Sequence, residues 1–95
     1  MTSKELEKIL KGLANKRRLA IIRLLSKNDA MRVSDIASFI KLSFKATSKH
    51  LLILKQLDII ESQQINREVY YSLLKIELLP ILVSVLLKHI SHSRE

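Results

Sequence analysis

The sequence predicts a mostly α-helical fold with one small β-hairpin, and three observations predict it. The 95 residues include one glycine and one proline, which leaves few places for tight turns and favours long helices with short connections. Apolar residues recur at helical spacing through most of the chain. The exception follows Asp58, where Ile59-Ile60 and Val69-Tyr70-Tyr71 are β-rich and flank a polar stretch centred on Ile65, Asn66 and Arg67.

Each element has its own local signal. Thr2 with Glu5 three residues on is a capping box, and Leu6, Ile9, Leu10 and Leu13 then repeat at helical spacing, predicting a first helix over residues 3–13. Asn15 caps a second helix with an apolar face of Leu19, Ile21, Ile22 and Leu25, ending near Asn28-Asp29. Ser34 is placed to cap a short third helix carrying Ile36, Ala37, Phe39 and Ile40, and Ser43 to cap a fourth reaching Leu57. Only Lys41, Leu42 and Ser43 separate these two helices, which makes a helix-turn-helix in outline. The hairpin follows, with Asn66 suited to a turn position of positive φ. Ile76 to about His92 reads as a last helix, apolar on nearly every side, with Pro80 tolerated close to its start.

The order α-α-α-α-β-β-α is that of a winged helix-turn-helix, and 1–95 reads as a single DNA-binding domain of this kind. It comprises a helix-turn-helix at 34–57, a wing at 59–73 and outer helices at 3–13 and 76–92 suited to dimerisation. Composition agrees. The chain has 17 Lys plus Arg against 9 Asp plus Glu, a net charge of +8, which favours a polyanionic partner. With no cysteine, the sequence offers no disulfide and no thiolate metal site. The start, MTSKELEK, is too charged for the apolar part of a secretory signal. The longest apolar stretch, Leu78 to Leu87, is interrupted by Pro80 and Ser84 and falls well short of the roughly 20 residues that span a bilayer. A soluble cytoplasmic protein that does not engage membranes is expected.

The chemistry points to the fourth helix. From Ser38 to Leu57 there is no acidic residue, while Lys41, Lys45, Lys49 and Lys55 are basic, so phosphate is attracted there. Thr47, Leu51, Leu54 and Leu57 share one helical face, with His50 flanking it, and Lys45, Ala46, Ser48 and Lys49 point away. The outward group lies near the amino-terminal end, the part of a recognition helix that meets base edges. Lys45 and Lys49 are suited to guanine or phosphate and Ser48 to either; the competing reading is an ordinary solvated face. Arg67 at the hairpin tip suits a phosphate or the minor groove. Of Tyr70 and Tyr71, which alternate faces, at least one is expected to pack inward.

LKGLANKRRLAIIRLLS, VSDIASFIKLS, SFKATSKHLLILKQLDII and NREVYYSL, running from Leu10 to Leu73, resemble the successive segments of ArsR-type winged-helix repressors. The resemblance implies a dimer built by the first and last helices, a recognition helix at 44–57, and promoter repression relieved by a small effector. It also marks departures. Lys41 stands where the family commonly has glycine in the turn, and Asn66 replaces the usual wing glycine. Phe44 lies where a polar DNA-contacting residue is usual, and two readings stand for it: contact with a thymine methyl, or inward packing. The DNA-contacting set is therefore Lys41, Ser43, Phe44, Lys45, Ser48, Lys49 and Arg67.

Many members of that family sense metals, through a cysteine pair in the third helix or through Asp and His residues on the last. The first site is impossible without cysteine. His89 and His92, three apart on one helical face, match one half of the second and can share a zinc ion. The other half falls at about Ile76 and Leu78, which cannot ligate, and Glu77 points elsewhere. No metal or cofactor is expected. The dimer seam is assigned to Leu6, Ile9 and Leu13 of the first helix against Leu79, Leu82, Val85 and Leu86 of the last, because an apolar helix too round for one small domain to cover needs a partner.

The leading reading is a dimeric, sequence-specific DNA-binding transcriptional regulator, a repressor, on a pseudo-palindromic operator, with its effector unknown. A protein-interaction module without specific DNA binding and a zinc-responsive repressor using His89 and His92 stay open. An enzyme is not expected, since no Gly-rich phosphate cradle, nucleophilic Cys or paired histidine and carboxylate set is visible.

Overall fold

The computed structural model describes residues 2–74 and Leu87. It contains α1 (Ser3–Leu13), α2 (Lys16–Lys27), β1 (Met31–Arg32), α3 (Val33–Ile40), α4 (Phe44–Gln56), β2 (Ile60–Ile65) and β3 (Glu68–Leu73). The expected last helix, with Leu79, Leu82, Val85, Leu86, His89 and His92, lies outside the described residues.

Helix starts follow the caps. The Thr2 side chain accepts from Glu5 N and the Glu5 carboxylate accepts from Thr2 N, closing the capping box of α1. Asn15 Oδ1 accepts from both Arg17 N and Arg18 N at the start of α2. Ser43 Oγ accepts from Ala46 N at the start of α4. The expectation for Ser34 fails: the cap lies two residues earlier, at Arg32, with α3 beginning at Val33 and no side-chain cap bond. The reason is tertiary. Met31 and Arg32 form a two-residue strand paired with Tyr71 and Tyr70 of the wing, and the helix starts where that strand stops. This strand was not expected.

Both helices of the helix-turn-helix end the same way. After α3, Leu42 N bonds to Ala37 O and Lys41 N to Ser38 O, with Lys41 left-handed at φ 55°. After α4, Ile59 N bonds to Leu54 O and Asp58 N to Lys55 O, with Asp58 at φ 57°. These are paired 6→1 and 5→2 closures of the Schellman kind, in a position that usually favours glycine. The third left-handed residue, Asn66 at φ 59°, turns the wing, as its sequence predicted. The sole glycine, Gly12, is used differently: it is buried in α1, and a Leu57 methyl stands where its Cβ would be.

The core forms where α2, α3, α4 and the base of the sheet meet, around Ile21, Leu25, Met31, Ile36, Leu51, Leu54, Ile59 and Ile60. Two apolar assignments are corrected. Leu19 is 51% exposed, because it lies two residues from Ile21 and residues so spaced do not share a helix face. Phe39 is 68% exposed: Val33, Ile36, Ala37 and Ile40 define the inner face of α3, and Phe39 falls at its margin. Of the α1 residues assigned to a dimer seam, Leu6 is already buried within the chain, Leu13 packs against the core and Ile9 is half-buried, whereas Leu10, which was not assigned there, is 41% exposed.

Candidate nucleic-acid interface

α4 is presented by its own amphipathicity. Thr47, Leu51 and Leu54 are wholly buried, so the opposite face must look outward. There Lys45 and Lys49 are exposed and Ser48 is half-buried. Lys41 stands exposed on the turn before the helix, as does Ser43, whose hydroxyl already serves the cap. Among the described residues, Lys41, Lys45 and Lys49 form no ion pair. Lys55, the fourth cation of the acid-free stretch, donates to Ser62 Oγ at 2.7 Å and so ties the end of α4 to β2. Phe44 does not pack inward; it is 63% exposed.

The wing stands beside the helix. β2 pairs with β3 from Ile60↔Leu73 to Ile65↔Glu68, and β1 adds to the far side of β3, giving the order β1-β3-β2. Arg67 is exposed at the tip. Tyr71 packs against the core, whereas the Tyr70 hydroxyl donates to Glu68 Oε2 at 3.2 Å. Arg32 binds Asp35 through Nε at 3.1 Å and both oxygens of Glu68 through Nη1 at 3.1 and 3.2 Å. That guanidinium joins the start of α3 to the wing. Between α3, α4 and β3 lies an open cleft of about 370 Å³, lined by Arg32, Val33, Ser34, Phe44, Ser48, Glu68, Val69 and Tyr71.

Two further arginines brace the helices from inside. Arg17 Nη1 donates to Ile40 O at 2.8 Å, satisfying a carbonyl at the negative end of α3. Arg18 donates through Nε to Gly12 O and through Nη1 to His50 Nδ1, the latter at 3.2 Å. Because a guanidinium only donates, Nδ1 must carry the lone pair and His50 the proton on Nε2. Partial burial, then the positive charges of Arg18 and Arg17, hold the His50 pKa below its ordinary value. His50 is a bracing residue, and neither its link to Arg18 nor the Arg32–Glu68 pair is signalled locally in sequence. Among the described residues, no cluster of three His, Cys, Asp or Glu side chains is arranged to hold a metal ion, and no helix is long and apolar enough to cross a membrane.

Two helices joined by a three-residue turn, followed by a hairpin packed beside the second, define a winged helix-turn-helix protein. Residues 15–62, just over half the chain, match the family described as bacterial regulatory protein, arsR family. The chain belongs to the ArsR family of transcriptional regulators, a family of regulators and not of enzymes. It is 36% identical over 72 residues to the cadmium resistance transcriptional regulatory protein CadC of Listeria innocua, a match covering 76% of this chain and 60% of that protein. The chain thus spans about 60% of the length of the curated relative it matches. In structure it is similar to reduced HlyU from Vibrio cholerae, at a TM-score of 0.72 and 29% identity over 87% of this chain and 86% of that one. It is also similar to a homodimeric winged helix-turn-helix DNA-binding domain from Mycobacterium bovis, at a TM-score of 0.75 and 25% identity over 94% and 82%.

Proposed function

We propose that this regulator binds duplex DNA as a homodimer and represses transcription in the cytoplasm, with α4 in the major groove and Arg67 on the adjacent backbone or minor groove. The observation that carries this reading is the outer face of α4. Lys45, Ser48 and Lys49 lie on a capped helix with no acidic residue from Ser38 to Leu57, and phosphate contacts supply most of the affinity of such interfaces. Lys41, Ser43 and Phe44 extend the contact along the turn.

Membership of the family and the M. bovis relative, described as a homodimeric DNA-binding domain, support the dimer. Leu6 is already buried within the chain, and Leu10 and Leu19, 41% and 51% exposed, add apolar surface to the rest of the assigned seam, Ile9, Leu13, Leu79, Leu82, Val85 and Leu86. The two recognition helices then meet half-sites about 34 to 36 Å apart on a pseudo-palindromic operator. The CadC relative is named for cadmium resistance. Soft cations of that kind are held by thiolates, and this sequence has none, so the reading leaves cadmium out.

Selection of bound duplexes from a random pool, run with zinc and with a chelator, tests the proposal. Enrichment of a palindrome is the expected result, and no enrichment overturns it. Enrichment that depends on zinc brings His89 and His92 into the function. Sedimentation at micromolar concentration is expected to give a dimer, and a monomer sinks the dimer reading.

A further inference from the structure

We infer that Phe44, backed by Val69 of the wing, reads the 5-methyl group of a thymine in the major groove and so sets sequence preference. The inference rests on the DNA-binding reading above. Phe44 is the first residue of α4, and the Ser43 cap on Ala46 N fixes the helix start from which the ring projects. The ring is 63% exposed and Val69 is 39% exposed, and both line the cleft between helix and wing together with Ser48. The inner face of α4 is already filled by Thr47, Leu51 and Leu54. The chain therefore holds a phenyl ring in water without using it as core, which forgoes the free energy its burial would supply.

The surroundings select the occupant. Lys41, Lys45 and Lys49 lie on α4 and the turn before it, and Glu68, the carboxylate that also lines the cleft, is already engaged by Arg32, so an apolar but anionic partner fits this face. Duplex DNA meets that description at one base: in the major groove the thymine methyl is the apolar group displayed on a base edge. Amino-terminal residues of a recognition helix are those that reach base edges. The lysines then hold the duplex, and Phe44 discriminates among sequences.

The test replaces single atoms groups in the DNA rather than in the protein alone. Duplexes enriched from a random pool serve as the probe, and each thymine in turn is exchanged for 2′-deoxyuridine, which removes only the methyl. At one thymine per half-site, the uridine duplex is expected to bind about fourfold more weakly, the value of one buried carbon. Phe44→Ala should bind the thymine and uridine duplexes equally, and Phe44→Leu should keep part of the difference. Equal affinity of the unaltered chain for every thymine and uridine pair overturns the inference while leaving DNA binding intact. Full uridine sensitivity in Phe44→Ala overturns it as well. The uridine comparison uses the unaltered chain and so decides even where a variant folds poorly. If no sequence is enriched at all, the DNA-binding reading fails and this one with it.

Discussion

α4 and the wing line the same cleft, but different forces hold them. α4 is anchored by packing: Thr47, Leu51 and Leu54 have no exposed surface, so the helix cannot shift without opening the core. The outer part of the wing buries little. From Gln63 to Val69 every residue is exposed; Glu68 is held there by its ion pair with Arg32, while Lys55 binds Ser62 nearer the root. A packed anchor is insensitive to salt, whereas a partly exposed ion pair is screened by it. The molecule therefore has one fixed surface and one tuned by ionic conditions.

The largest test of this contrast is Leu51→Ala, expected to cost about 2–5 kcal/mol of folding stability through lost burial and a residual cavity. Denaturant unfolding measures it, and a cost below about 1 kcal/mol would break the claim that packing anchors α4. Thr47→Val sharpens it from the other side. The Thr47 hydroxyl is buried with no hydrogen-bond partner among the described residues, so its replacement by a methyl is expected to raise stability by about 1 kcal/mol. An equal loss would mean that the hydroxyl is satisfied after all.

On the wing, Arg32→Ala is expected to cost far less than Leu51→Ala, because its ion pairs are surface pairs. Their side chains are 42–49% exposed, and the difference from the parent chain should shrink at high salt. Unfolding at low and high ionic strength checks this, and a salt-independent loss would place the wing with α4 as a packed element.

The smallest effect is a pH dependence from His50. Its folded-state pKa lies below the ordinary 6.5, so the unfolded chain takes up the proton more readily. Stability is then full above pH 6.5 and declines as pH falls toward the folded pKa, where the decline levels off. His50→Gln should lose less stability than the parent between pH 7.5 and 5.5, roughly the range in which histidine titrates. An unchanged pH difference would show that neither burial nor the Arg18 charge biases the imidazole.

What the sequence disclosed and what it hid divide along the same line. Caps at Thr2, Asn15 and Ser43 were legible because a cap joins residues three apart or fewer, and Thr47, Leu51 and Leu54 because a helix face repeats within a few residues. Lys45, Ser48 and Lys49 could be placed outward on the same ground, and Asn66 by its tolerance of positive φ. Leu19 was misplaced by counting apolar residues without their angle around the helix. β1 was invisible: two residues become a strand only by pairing with Tyr70 and Tyr71, 38 and 40 positions away. The bracing contacts are also long-range, since Arg18 and His50 are 32 apart and Arg32 and Glu68 36 apart, and no local pattern announces such partners.

The strand order β1-β3-β2 has a mechanical consequence. Near its root β3 is flanked on both sides, with Tyr70 and Tyr71 opposite Arg32 and Met31 on one edge and Gln63 and Ser62 on the other. Past Tyr70 it has a neighbour only on the β2 side. The hairpin is thus a cantilever, clamped at Tyr70 and loaded at its free end, where Arg67 sits. That end has the fewest ladder partners, and it carries the arginine away from the clamped root. In the DNA complex proposed above, a two-residue strand would therefore set how far the tip arginine can reach toward a phosphate.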